Sequence, residues 1–253
     1  MRRTQQPGRG QSRTAVVWEA LRAVLDERRA ECGGPLDVVD VGGGTGGFAL
    51  RVAEHGDRVT VVDPSPDALA SLERRAAEAG VQDRLVGVAG DALGLVDQVG
   101  AQAADIVLCH GVLEVVERPD EALRALREVL RPGGVLSVVV AGRYAAVLAR
   151  ALAGDLERAR QLIAADPERW DVRTDGPRRF TREELDALVT GAGLRVDRTD
   201  AVRVFSDLVP SELVDAPSGG RDALAELEEA VAGIEAFGAV ASQHHVLATR
   251  TAP

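Results

Sequence analysis

The sequence predicts an α/β protein: a mostly parallel sheet of seven strands with helices on both faces and a helical insert after the fifth strand. Three observations carry this expectation. Short β-branched runs alternate with helical patterns up to Val140, and strands separated by helices pair in parallel. The first run, Val38, Val39 and Val41, meets the glycine cluster 42–47 and then the helical pattern Phe48, Ala49, Leu50, Val52 and Ala53. Polar groups also stand directly after successive strands: the glycine turn, Asp63, Asp91 and His110. That rim is where open parallel sheets hold ligands.

The chain is long enough to be one domain with a substrate-binding insert, and it is read as a single domain over residues 1–253. Residues 1–13 read as an arm rich in Arg, Gln and Gly. The spacing of Val17, Trp18, Leu21, Val24 and Leu25 predicts a helix over 14–29, so arm and helix together span residues 1–30. Further strands are expected at 58–62, 84–88, 104–109 and 135–140. Asp63-Pro64-Ser65-Pro66 closes the second strand, and a helix over 67–79 stops at Gly80. A helix over 120–130 leads into the turn Arg131-Pro132-Gly133-Gly134.

After Val140 the alternation breaks. Residues 142–180 carry two short helical stretches, 143–153 and 156–164, and then Pro177-Arg178-Arg179-Phe180; they read as a lid or platform over the active site. Thr181 starts a helix to Ala192, with Glu184 in place to complete a capping box. A sixth strand is expected over 194–205, a loop around Pro210, Pro217, Gly219 and Gly220, a helix over 222–237, and a seventh strand over 244–249.

The net charge of −10 argues against nucleic-acid binding driven by overall charge, while leaving a local basic groove open. All 30 basic residues are arginine, a side chain that grips carboxylate or phosphate with two parallel hydrogen bonds. Most insert arginines read as a solvated helix face. Aromatic residues make up 3% of the chain and Tyr144 is the single tyrosine, which excludes a platform for stacking several bases. No apolar run has the length of a membrane span. The basic N-terminal stretch lacks the apolar segment of a secretory signal. Cys32 and Cys109 stand apart; a cytoplasmic protein with no disulfide framework and no metal site is expected.

The glycine turn, backed by the free amides of a helix start, predicts an adenosine-containing cofactor. Its spacing alone does not choose which. Gly42, Gly44 and Gly47 give the G-x-G-x-x-G of dinucleotide sites, whereas Gly42, Gly44 and Gly46 give the G-x-G-x-G common at S-adenosylmethionine (SAM) sites.

The order VVDVGGGTG (38–46), VTVVDPS (59–65), GDAL (90–93), DIVLCHGVLEVV (105–116) and LRPGGVLSVVV (130–140) resembles the class I SAM-dependent methyltransferases. The resemblance implies a Rossmann-like fold, with SAM as cofactor and S-adenosylhomocysteine as product. It implies that Asp63 takes the ribose hydroxyls, that Asp91 and the amide of Ala92 read the adenine edge, and that Gly42, Gly44 and Gly46 let the backbone approach. Asp40 and His110 complete the implied cofactor set. A closer resemblance, in RGQSRTAVVW (9–18), CHGVLEVV (109–116), GPRRFTREEL (176–185), AVRVFSD (201–207) and HHVLA (244–248), is to the tRNA 5-carboxymethoxyuridine methyltransferases. Those enzymes esterify a carboxylate on the wobble uridine of the anticodon. This implies a tRNA anticodon loop as partner and Arg13 as a clamp on the SAM carboxylate.

A carboxylate is already a nucleophile at neutral pH, so its methylation needs alignment and a cationic grip, with no acid or base. Tyr144, Arg178, Arg203 and His245 are the candidates for that grip. His110 is the candidate base for a hydroxyl or amine acceptor. The insert reads ADPERWDVR (165–173), with acids among its arginines, and Val115 stands where the closer family would have an aromatic. These departures keep a small carboxylic acid open as acceptor. A SAM-binding protein without turnover and an NAD-dependent enzyme are the remaining readings.

Overall fold

The computed structural model describes residues 15–214 and 219–251. Seven strands form one sheet in the spatial order β3-β2-β1-β4-β5-β7-β6. They are β1 (Asp37–Val41), β2 (Arg58–Asp63), β3 (Leu85–Ala89), β4 (Ala104–His110), β5 (Leu130–Ala141), β6 (Leu194–Val202) and β7 (Gln243–Arg250). The first five pair in parallel, and β7 runs antiparallel between β5 and β6. The order reverses at β1, next to β4, so a crevice opens beyond the carboxyl ends of these two strands.

The strands read as nearly continuous apolar runs because helices bury both faces. On one face α1 (Ala15–Cys32), α2 (Ala49–Glu54) and α3 (Pro66–Ala79) cover Val38, Val59, Val61, Ile106 and Leu108. On the other, α4 (Leu95–Val99), α5 (Pro119–Val129) and a later helix, 182–191, cover Val39, Val41, Val107, Cys109 and Val138. Neighbouring residues of one strand thus belong to different cores, as a two-residue period requires.

Local chemistry sets the helix ends. Ser65 caps α3, accepting from the amide of Ala68 at 3.2 Å, and Gly80 ends it in the left-handed region at φ +71°. The Thr181–Glu184 capping box forms, with bonds of 3.0 and 3.3 Å.

Several elements differ from expectation. The Arg131–Gly134 turn is an irregularity inside β5: Leu130 pairs with Ala104 and Val135 with Ile106, so the residues between bulge out opposite Asp105. Arg131 ties the bulge to Asp37 and Asp105 at 3.0 and 2.8 Å. Strand β6 ends at Val202 because Arg203 turns the chain at φ +58°. The helix expected over 222–237 is two, split around Ala232–Ile234. Helix α4 was not expected at all; one turn with an aspartate inside it carries little periodicity.

The remaining elements build the far side of the crevice. After β5 come α6 (Arg143–Leu152), α7 (Leu156–Ile163), a 3₁₀ turn (Pro167–Arg169), α8 (Val172–Asp175) and α9 (Arg182–Gly191). Between β6 and β7 lie α10 (Ser211–Val214), α11 (Gly220–Val231) and α12 (Glu235–Gly238). Pro217 lies outside the described residues.

Candidate active site

The β1–α2 turn carries three residues in the left-handed region: Gly42, Gly44 and Gly46, at φ +66°, +54° and +81°. Space also excludes side chains at parts of the turn. A Cβ at Gly42 would lie 2.5 Å from Val112 Cγ2, and one at Gly43 would lie 2.6 Å from Asp40 Oδ2. Asp40 sits buried beneath the turn, and burial, with the negative Asp63 nearby, pushes its carboxyl up to about 7.

Asp63, the last residue of β2, locks the turn. Its Oδ2 accepts the Gly44 amide and its Oδ1 the Ser65 amide, both at 2.9 Å. A carboxylate has about four acceptor positions, so each oxygen keeps one for a ligand. Asp91 uses Oδ1 to accept the amides of Leu93 and Gly94, both at 3.0 Å. Asp63, Asp91, Ala92, Gly42 and Gly111 line one cavity of about 460 Å³ with Val112 and Val115. A volume of this size suits a cofactor, and the carboxylate at the strand end beside a glycine turn fits a ribose.

A second cavity, of about 580 Å³, opens between the insert and the ends of β5 and β7. Arg150, Arg158, Arg179 and Arg203 line it, with Trp170 and Gln243. Two acids share the wall, Asp175 and Asp207, and Asp207 pairs with Arg203. Burial lowers the Arg179 pKa and neighbouring Glu114 opposes that shift.

Glu114 joins the two halves. Its Oε1 accepts the Ala141 amide at 2.8 Å and its carbonyl accepts the Arg178 amide at 2.7 Å, where the insert leaves and rejoins the core. Oε2 is buried with no hydrogen-bond partner, and burial raises the carboxyl's pKa. The neighbouring Val112, Val115 and Val116 line the first cavity, and Ala141, whose amide Glu114 holds, lines the second.

Several expected substrate residues stand elsewhere. Arg178 is buried and donates to the carbonyls of Pro167 and Trp170 at 2.6 and 3.4 Å; it pins the insert, and Arg179 faces the cavity instead. Extended backbone sends consecutive side chains to opposite sides, which explains the one-residue error. Tyr144 lies on the outer stripe of α6 with Leu148 and Leu152, whereas Ala145, Ala149 and Arg150 face the cavity. His245 is fully buried in β7, so it offers no ring atom to the cavity. Arg203 lines the cavity as expected.

His110 closes β4 with its ring edge-on to Phe48, centroids 4.7 Å apart. Its Nε2 lies 2.9 Å from Ser137 Oγ, and burial lowers its pKa to about 3. The ring is therefore neutral at pH 7, with Nε2 engaged by Ser137. Arg13 lies outside the described residues; the helix it precedes packs Val16 and Val17 with Phe48, Val139 and Val202.

Among the described residues, no group of three or more His, Cys, Asp and Glu side chains is placed to hold a metal ion. No described helix is long and apolar enough to cross a membrane.

The seven-stranded sheet with its antiparallel β7, and the glycine turn facing an aspartate at the end of β2, define a class I SAM-dependent methyltransferase. Comparisons with known proteins agree. A family model described as a methyltransferase domain matches residues 39–136. The crystal structure of a SAM-dependent methyltransferase from Mesorhizobium loti superposes with a TM-score of 0.61 at 20% identity, covering 93% of this chain and 98% of that one. Magnesium protoporphyrin IX methyltransferase from Synechocystis PCC 6803, solved with bound S-adenosylhomocysteine, gives 0.59 at 14% identity over 98% and 90%. The tRNA 5-carboxymethoxyuridine methyltransferase of Escherichia coli O157:H7 is 31% identical over 199 residues, which are 79% of this chain and 74% of that protein. The chain belongs to the family of the tRNA 5-carboxymethoxyuridine methyltransferases, and SAM is its cofactor.

Proposed function

We propose that the protein methylates a carboxylate, and that the acceptor is 5-carboxymethoxyuridine at the wobble position of a tRNA. The observation that carries the first part is the convergence of Arg179 and Arg203 on one cavity at the rim of the sheet. A guanidinium holds a carboxylate through charge-assisted hydrogen bonds. The name of the Escherichia coli relative supports the second part.

In this reading Asp63 takes the ribose hydroxyls on its spare acceptor positions. Asp91 and the Ala92 amide meet the adenine, the positive-φ glycines give the close backbone approach, and Arg13 pairs with the carboxylate of the methionine part. SAM supplies an electrophilic methyl group on a sulfonium, which is a good leaving group. Arg179 and Arg203 hold the acceptor carboxylate and leave one oxygen free to attack. The insert, residues 142–180, shields the site from water. No side chain has to move a proton, so alignment supplies the rate.

The acids on the cavity wall, Asp175 and Asp207, and the net charge of −10 favour a second reading, a small carboxylic acid as acceptor. The test compares turnover on two tRNAs that differ only in whether the wobble uridine carries the carboxylate or a bare hydroxyl. Transfer to the first alone is expected. Transfer to both would refute the carboxylate grip, and transfer to neither would select the small acid.

A further inference from the structure

Arg203 sits at φ +58°, a region that residues other than glycine seldom occupy. Something must hold the turn, and the next three amides show what does. Val204, Phe205 and Ser206 all donate to the carboxylate of Glu228 on α11, at 2.8, 3.0 and 2.8 Å, and the Ser206 hydroxyl adds a bond of 2.6 Å. Glu228 is 5% exposed, and these four donors offset the loss of its hydration. The residues at the two ends of the turn, Arg203 and Asp207, both face the arginine-lined cavity and pair with each other.

We infer that Glu228 is a positioning residue for the acceptor site. It gathers the amides of 204–206 so that the turn presents the Arg203 guanidinium to the acceptor's carboxylate, which displaces Asp207 as the counter-ion. The inference rests on the reading of this cavity as the carboxylate site. A glutamine at 228 keeps the shape but brings an N–H₂ group against backbone N–H donors, so the cradle opens on one side.

The test has two arms. In the first, amide hydrogen exchange is followed in wild type and in Glu228→Gln. Faster exchange at Val204, Phe205 and Ser206 is expected, with Gly44 in the cofactor turn unchanged. In the second, methyl transfer is measured on tRNA carrying 5-carboxymethoxyuridine. Glu228→Gln is expected to raise the KM for tRNA on the order of tenfold with kcat nearly kept, the pattern of lost uniform binding. The KM for SAM stays constant, and in an Arg203→Ala background the substitution adds nothing further, as coupled residues require. An equal penalty in both backgrounds would overturn the inference, as would unchanged exchange at 204–206. If wild type leaves that tRNA unmethylated, the acceptor reading falls, and the exchange arm alone decides whether Glu228 holds the turn. Glu228→Asp, one methylene shorter, serves if the glutamine variant does not fold; the same local loss of protection is expected, to a smaller degree.

Discussion

His110 and His245, on strands that are not neighbours, share one hydroxyl: Ser137 Oγ lies 2.9 Å from the Nε2 of each ring. A single hydroxyl proton can be given to only one of them, so the other ring must donate its own N–H to the oxygen. Ser137 thereby ties the three strands β4, β5 and β7 together beneath the rim. On its far side His245 Nδ1 lies 3.8 Å from Asp200 Oδ2.

This pair predicts a pH dependence. Burial lowers both histidines to a pKa of about 3, below the ordinary 6.5. The unfolded chain therefore binds more protons between those values, and stability falls as pH drops from about 6.5 toward about 3. For His245, which is fully buried, the loss at pH 5 is about 2 kcal/mol. Asp40, raised to about 7, gains stability over the same interval, so the histidine contribution is read by difference. From pH 7.5 to pH 5 the unfolding midpoint of wild type should fall relative to that of His245→Gln, and an unchanged gap would contradict the neutral pair.

Asp63 predicts the cofactor affinity. Its side chain both locks the Gly44 amide and, in the proposed assignment, holds two ribose hydroxyls. Asp63→Ala should weaken SAM binding by about 2–4 kcal/mol, more than one charge-assisted hydrogen bond is worth. Isothermal titration with S-adenosylhomocysteine measures it. Affinity within twofold of wild type would remove Asp63 from the site.

Arg178 and Arg179 predict opposite phenotypes from adjacent positions. Arg178→Ala leaves the carbonyls of Pro167 and Trp170 without their donor, so it should lower the unfolding temperature. Arg179→Ala should leave that temperature nearly unchanged and raise the acceptor KM by about 10–100-fold, the worth of a charge-assisted hydrogen bond. The reverse pattern would show that the arginines have been assigned to the wrong sides.

The contrast between these two arginines also marks how far sequence reasoning reached. The strands were legible because burial on both faces leaves little but Val, Ile, Leu and Ala in them, as in Val135–Val140. Asp63 was legible because it stands directly after a strand and before Pro64. Phase was not legible. The bridge between Gly142 and Phe180 fixes where α6 starts and which way the Arg178–Arg179 pair faces, and a shift of one residue exchanges cavity for core. Glu228 was invisible for another reason: its partners lie 22–24 residues earlier, and no local pattern joins a helical glutamate to three amides of a turn. Ser137 is a polar residue inside an apolar strand, and the two histidines that explain it come from other strands.

The central claim is that a carboxylate receives the methyl group, and the most direct measurement is nucleoside mass spectrometry after transfer from labelled SAM to tRNA bearing 5-carboxymethoxyuridine. The account predicts one added methyl on that nucleoside, removed by mild alkali as an ester must be. An alkali-stable methyl on the base or ribose, or label that never enters the tRNA, would contradict it.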